Sequence, residues 1–467
     1  MGEVRPRQRK FAPRSRTGCK TCRARRKRCD GQRPECLNCT RLNMKCEWEA
    51  PRRIVPDSAP HIETSTPEQG ILSLGTRLDP WEILPGNPAT EREHLLSYYV
   101  EGFVPSISVA TTPSSFYTNL YIPMAFQSEG ILDAILAMSS SQLAKRSTDP
   151  ERARHLQDVS YKHQAKCHLY LKDRISPSGK PLKDTYPVIG IILHLVGLEA
   201  LNGTTSTKWL SQMNCVRRIL GGLYAQPHTM ESWELASLRR HFTYHDVMAS
   251  LMEGVVETGK RSSSDTDFSV LHSPSVSSEI DPLMGISYYL CALICRIQYV
   301  TTPNPAFPHV TQAAFISLEN DIQMWTYDSP LMSPNIDTPL ALDLIALAEC
   351  YRLAALIQLY RTSDSHKVLV PACASRAMQF IIRIPPGSPA ESSLLYPLFL
   401  AAAELEDEEE RMKCDQRLTA IQNRNRYGNV SNVQKVLREV WKPLAAGTVR
   451  RDWEDVLKEL GWSFTLG

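Results

Sequence analysis

Six cysteines between Cys19 and Cys46, spaced C-x2-C-x6-C-x6-C-x2-C-x6-C, constrain this chain more tightly than any other stretch of it. Cys36, Cys39 and Cys46 repeat Cys19, Cys22 and Cys29 at a constant offset of 17 residues, so the segment is two copies of one small unit. So short a segment cannot enclose a hydrophobic core of its own, and the thiols must supply the missing stability. Tetrahedral zinc favours sulfur, and C-x2-C lets two sulfurs reach one ion from a tight turn. Six thiolates cannot fill two separate tetrahedra. If equivalent members of the two half-repeats bridge, each of two Zn2+ ions receives four ligands. A single four-cysteine site with two spare thiols is one alternative, and a disulfide framework is another. The disulfide framework sits badly with an Arg- and Pro-rich N-terminus that lacks the apolar segment of a secretion signal, because disulfides belong to oxidising compartments.

The same stretch is cationic. Between Cys22 and Cys29, Arg23-Ala24-Arg25-Arg26-Lys27-Arg28 carries five basic residues of six, whereas Thr40–Lys45 carries two. The first half is expected to face a polyanion and the second to complete the cage. Residues 1–46 hold 15 Lys/Arg against 3 Asp/Glu, a balance of +12, and the whole chain is +3, so the remainder carries −9. A basic head on a mildly acidic body points to a nucleic-acid partner for the head alone. Six thiolates and two Zn2+ lower that head charge by two. Met1–Thr17, with Arg5, Arg7, Arg9, Lys10, Arg14 and Arg16, is expected to be a basic disordered arm that contacts phosphates or directs nuclear import. No aromatic residue lies between Cys19 and Cys46, which disfavours base stacking on single strands. A zinc-dependent RNA-binding or protein-interaction module is therefore the second reading. A metal-handling protein comes third, since a thiolate store has no need of a cationic finger.

With all six cysteines in place, and with Arg23, the basic pair Arg25-Arg26, Asp30 after the third cysteine and Pro34 two residues before the fourth, this stretch resembles the fungal binuclear zinc cluster family of transcription regulators. The resemblance implies a small zinc-stabilised Zn2Cys6 cluster with two short helices over residues 18–48. It makes Cys19 and Cys36 the bridging thiolates, with Cys22 and Cys29 completing one zinc site and Cys39 and Cys46 the other. It further implies a short helix after the first cysteine pair, set in the major groove of double-stranded DNA and reading a CGG-type triplet, with dimer spacing fixing the distance between half-sites. Arg25 and Arg26 are then the base-reading candidates, and Arg23, Lys27 and Arg28 the phosphate contacts. The second member of the basic pair is often lysine in the family. Arg26 can still meet guanine O6 and N7, in a bidentate manner lysine cannot match.

Residues 49–90 form a linker holding Pro51, Pro56, Pro60, Pro67, Pro80, Pro85 and Pro88. Many relatives place a heptad coiled coil here, but this proline density forbids a long helix, so any homodimer is expected through the downstream domain. From 91 to 467 the texture changes to helix-period apolar stripes with almost no strand signal, which predicts a large all-α regulatory domain. Its candidate helices include Glu129–Leu143 with Ser128 as N-cap, Glu151–Arg174, Val188–Leu201, Met230–Met252 and one long Leu394–Gln422. A Ser-rich insert at 257–279 is expected to be disordered. Val188–Leu201, broken by His194 and Glu199, and Met284–Val300, broken by Arg296, fall short of the roughly 20 clean apolar residues of a membrane span and are read as buried helices. On Leu95-Leu96-Ser97-Tyr98-Tyr99, Tyr244-His245-Asp246-Val247, Asp452-Trp453 and Gly461-Trp462 this part resembles the helical regulatory domain of many fungal regulators. That resemblance implies regulation or dimerisation, co-regulator partners, and control of nutrient or secondary-metabolite genes.

Other features carry less. His241 and His245 are four apart on a predicted helix, but no Glu stands at the general-base position of H-E-x-x-H, so they are read as a packing pair. Cys291 and Cys295 are read as small core residues. The acidic run Glu404–Glu410 is read as a solvated helix face, and Ser262–Ser264 as flexible loop or phosphate acceptor. No nucleophile elbow, phosphate loop or dinucleotide fingerprint occurs, so no enzyme is expected. Together these observations describe a zinc-dependent, sequence-specific DNA-binding regulator working in the nucleus.

Overall fold

The computed structural model describes residues 18–24, 29–30, 36, 39, 46, 48, 81, 88–110, 115–176, 179–224, 231–253, 255, 279–301, 308–333, 335–442 and 451–467. The arm, Arg25–Arg28, most of the linker and nearly all of the Ser-rich insert lie outside them. The chain divides into two compact units, Met1–Thr76 and Arg77–Gly467.

In the first unit the described helix is α1 (Lys20–Ala24), and the buried side chains are Cys19, Cys22, Cys29, Cys36 and Cys39, with Cys46 and Trp48 half-buried beside them. The resemblance placed this helix after the first cysteine pair. It starts inside the pair, one residue past Cys19, so that Cys22 is already helical.

The second unit is helical, and among its described residues pairing is limited to isolated bridges such as Ile175–Pro181 and Ile280–Ser287. Its described helices of eight residues or more are α2 (Pro88–Tyr98), α3 (Glu129–Arg146), α4 (Pro150–Lys172), α5 (Thr185–Asn202), α6 (Lys208–Tyr224), α7 (Trp233–Glu253), α8 (Tyr288–Thr301) and α9 (Pro308–Gln323), then α10 (Thr338–Arg361), α11 (Val370–Arg383), α12 (Leu395–Ala403), α13 (Glu408–Asn425), α14 (Gly428–Val440) and α15 (Trp453–Leu460). Helical structure begins at Pro88, a proline at a helix start that loses no intrahelical hydrogen bond. The body reaches further back still, because Trp81 packs against His94 and Tyr98 with ring centroids 5.3 and 5.2 Å apart.

α5 organises the core. It is long and apolar enough to pass for a membrane span, yet most of it is buried against α3, α6, α7 and α14, as the sequence reading expected. α7 is buried on nearly all sides, so its polar groups must find partners within the fold. Asp246 is held by Arg217, and the Cys295 thiol lies 3.8 Å from the same carboxylate, so Cys295 is a core residue with a polar duty.

Ser128 stands at the N-cap of α3 as expected, though its hydroxyl bonds the Tyr170 hydroxyl at 3.2 Å and not the helix backbone. One local expectation fails. The single helix expected over Leu394–Gln422 is two, because Glu404 turns inward to Arg361 and Asp407 restarts the chain by accepting from the Glu410 N–H at 2.8 Å. The acidic run is thus a helix break. Glu408, Glu409 and Glu410 fill the first turn of α13, where the helix dipole favours negative charge.

One contact joins distant parts of the unit. α5 ends at Gly203, which adopts φ +66° and caps the helix in the left-handed region. A Cβ there would stand 2.5 Å from the Gly428 backbone, and one on Gly428 would stand 2.4 Å from the Gly203 nitrogen. Asn432 donates to the Gly203 carbonyl at 2.9 Å, and Ser463 N–H donates to the Thr205 carbonyl at 2.9 Å. The closing Asp452-Trp453 pair has a comparable part: Asp452 caps α15 and binds Arg361 at 2.8 Å, while Trp453 sits edge-on to Phe399.

Candidate metal centre

Each cysteine pair is folded around its first sulfur. The tight C-x2-C turn brings the Cys22 N–H within 3.3 Å of the Cys19 Sγ, and α1 carries Cys22 over it. In the second half the Cys39 N–H donates to the Cys36 carbonyl at 3.0 Å. The two turns face each other: Cys19 Sγ lies 3.7 Å from both Cys36 Sγ and Cys39 Sγ, and Cys22 Sγ lies 3.6 and 3.8 Å from the same two atoms. Zinc–thiolate bonds of about 2.3 Å place tetrahedral ligands about 3.8 Å apart, so these sulfurs already stand at ligand spacing.

Those four sulfurs alone would suit the single-site alternative. Cys29 and Cys46 argue against it. The Cys19 N–H donates to Cys29 Sγ at 3.4 Å, and the Cys36 N–H donates to Cys46 Sγ at 3.3 Å, each across ten residues. The 17-residue repeat is therefore a repeat of hydrogen bonding too, and neither outer thiol is spare. Cys19 and Cys36 occupy equivalent positions, each reaching both its own third cysteine and the opposite half. Burial pushes the Cys19 and Cys36 thiols up, but the N–H of Cys22 and Cys39 and the neighbouring thiols more than offset it and leave both below the ordinary range. Burial and adjoining sulfurs hold Cys22 up at about 12 and raise Cys39 and Cys46 as well.

Of the predicted nucleic-acid contacts, Arg23 lies on α1, which leads straight into Arg25–Arg28; those four lie outside the described residues. Asp30 is exposed, and its carboxylate shares a 4.8 Å cluster with Cys29 and Cys36. Sequence reasoning noted Asp30 as part of the motif but not as a neighbour of the sulfurs. In the second unit His241 and His245 are buried with their Nε2 atoms 3.3 Å apart, and the cysteines of α8 are buried too, in keeping with the packing roles expected for both.

Comparison with known proteins matches both units. The profile described as fungal Zn(2)-Cys(6) binuclear cluster domain matches residues 17–53, and that described as fungal specific transcription factor domain matches residues 94–467. The transcriptional activator protein UGA3 of Saccharomyces cerevisiae is 22% identical over 97% of this chain and 98% of its own length. The zinc cluster transcription factor CZF1 of Candida albicans is 58% identical over 8% of this chain and 10% of its own length, and the Zn(2)-C6 fungal-type transcription factor afumD of Aspergillus fumigatus is 26% identical over 29% and 34%. No solved structure matches.

Proposed function

The chain belongs to the fungal Zn(2)-Cys(6) transcription factors, DNA-binding regulators whose cluster domain holds two zinc ions, and from that premise we propose that it acts in the nucleus by reading CGG-type triplets with Arg25 and Arg26. The observation that carries this reading is the two-fold equivalence of the half-sites, of which one alone bears the cationic segment. Cys19 and Cys36 would be shared between the two ions, with Cys22 and Cys29 completing the ligands of one and Cys39 and Cys46 those of the other. The zinc ions supply cross-links and no chemistry on a substrate, since all their ligands are protein thiolates.

Fixed by this cage, α1 presents the following residues to the major groove. Arg26 pairs with guanine, while Arg23, Lys27 and Arg28 hold phosphates and set the register. The RNA-binding alternative gives way to DNA. The body is regulatory and not catalytic, carries the homodimer contact and any co-regulator contact, and serves a metabolic or secondary-metabolite gene set.

Replacing Arg26 with Ala tests the base-reading role. It should cost about 1–3 kcal/mol on a CGG-containing duplex and much less on a scrambled one. Equal losses on both duplexes, with zinc content unchanged, would reduce Arg26 to a phosphate contact.

A further inference from the structure

Where four helix ends of the body meet, the surface opens into a groove of about 1150 Å³. Its walls are the starts of α3, α5 and α7, the last turns of α4, and the segment leading into α3. Small-molecule pockets run to about 300–1,000 Å³ and enclose most of their ligand, so an open groove of this size suits a length of peptide chain.

Helix starts ordinarily attract anions through their free N–H groups and their dipole. Here each start carries a carboxylate of its own: Glu129 on α3, Asp184 at the N-cap of α5 and Glu234 on α7. An anion is therefore repelled from the place that helix geometry would offer it. Stabilisation of helix starts explains those three carboxylates in part. It does not explain Asp173, which caps the C-terminal end of α4, where the dipole disfavours negative charge. The lining holds five carboxylates against two cations, Lys166 and Arg174. Both cations are spent within the wall, Arg174 on Asp184 at 2.8 Å and Lys166 on Asp133 at 3.5 Å. Glu129, Asp173 and Glu234 are exposed and make no ion pair among the described residues.

The same groove carries apolar surface that the fold leaves in water. Trp233 is 46% exposed and Leu169 63%, and Pro123 and Met124 line the groove with them. A tryptophan left half in water is informative, because this side chain is among those that most often carry the binding energy of an interface. Tyr170 cannot take that part, since the Arg174 guanidinium already lies over its ring, 3.6 Å from the centroid.

We propose that this groove docks a cationic, amphipathic peptide segment of a partner protein, whose Lys or Arg side chains meet Glu129, Asp173 and Glu234 and whose apolar side chains pack on Trp233 and Leu169. Charge complementarity selects the occupant: the unpaired carboxylates favour a cationic segment and turn away nucleic acid. The apolar surface in turn favours a segment with apolar side chains over a plain polycation. The site stands on the geometry of the body alone and does not depend on what the head reads.

Fluorescence anisotropy on the full-length, zinc-loaded protein, with a short labelled peptide of lysine and leucine in equal numbers, tests the assignment. The peptide should bind saturably, and more weakly as salt is raised. Glu129→Gln, Asp173→Asn and Glu234→Gln together should weaken it about tenfold at low salt. Trp233→Ala should weaken it about tenfold at low and high salt alike, since the contact it removes is apolar. These four side chains are exposed, so the far-UV helical signal should stay at its wild-type value. Comparison of probes on the wild type needs no variant: a lysine–serine peptide should bind about tenfold less tightly, and spermine should compete only weakly. Absence of saturable binding to the wild type overturns the site, and so does an affinity unchanged in either folded variant. Spermine or the lysine–serine peptide binding as tightly as the lysine–leucine peptide overturns the amphipathic class in favour of a plain polycation.

Discussion

The head and the body solve the same problem with different materials. In the head six sulfurs occupy the interior, and the residues that hold the fold are the residues that define the function. In the body a continuous core runs from Leu95 to Leu466, and nearly any one apolar side chain could be exchanged for another of similar volume. A short exact spacing therefore announces the head's activity, while the body's long periodicity announces only that it is helical. The difference predicts that the two units fail for different reasons.

Zinc removal should separate them most widely. Structural zinc in small domains is worth about 10–16 kcal/mol of apparent folding free energy, so a strong chelator should abolish DNA binding. The far-UV helical signal, which arises almost wholly from the body, should hardly change. Elemental analysis of the untreated protein should give two zinc ions per chain; a value of one would contradict the shared-sulfur cage. If the body's melting transition collapses along with the head's, the contrast drawn between the units is wrong.

Conversely, Gly203→Ala should damage the body and spare the head. It forces a side chain into the left-handed region and against the Gly428 backbone, costing about 3 kcal/mol and several degrees of Tm. Zinc content and affinity of the head for DNA should stay at wild-type values. An unchanged Tm would mean that the α5–α14 contact yields without cost.

Acid should act on the body through its buried imidazoles. Burial pushes His194 and His245 down to about 4. The unfolded chain takes up these protons as pH falls through about 6.5, whereas the folded body refuses them until about 4. Stability is therefore unaffected above pH 7 and is lost between pH 6.5 and 4, by about 2 kcal/mol per imidazole at pH 5. Thermal melts of zinc-free protein at pH 7.5 and 5 should show the loss, and His194→Phe should flatten it; identical slopes for variant and wild type would contradict this.

The smallest effect belongs to the arm. Replacing Lys10 and Arg14 together should weaken specific and scrambled DNA alike and flatten the salt dependence by up to about one unit per lost phosphate contact. A loss confined to the specific duplex would give the arm a reading role.

How much was legible followed the same division. The clustering of the six cysteines was legible from spacing alone, because donor type and count are set by the metal they are expected to hold. The paired N–H to sulfur bonds were not, since they depend on backbone path between cysteines. In the body, apolar period located α3, α4, α5 and α7 within a few residues. It missed the break before α13, where no Gly or Pro interrupts the run; Asp407 with Glu410 three residues on was the capping signal that could have found it. The cluster of Tyr99, His194 and His245 was beyond reach of the sequence, because the three stand on separate elements, the turn after α2, α5 and α7, that meet only in the folded body.

The clasp at the end of α5 also has a consequence in time. Asn432 lies 229 residues after the Gly203 carbonyl it bonds, and a ribosome adds about 5–20 residues each second. This long apolar helix of the body is thus made early and must wait on the order of ten seconds or longer for the segment that closes its end. The head needs nothing beyond its own cysteines and can take up metal during that interval. Synthesis therefore yields a finished DNA reader attached to an unfinished body, and the interval between them is when nascent chains are most exposed to aggregation and to chaperones.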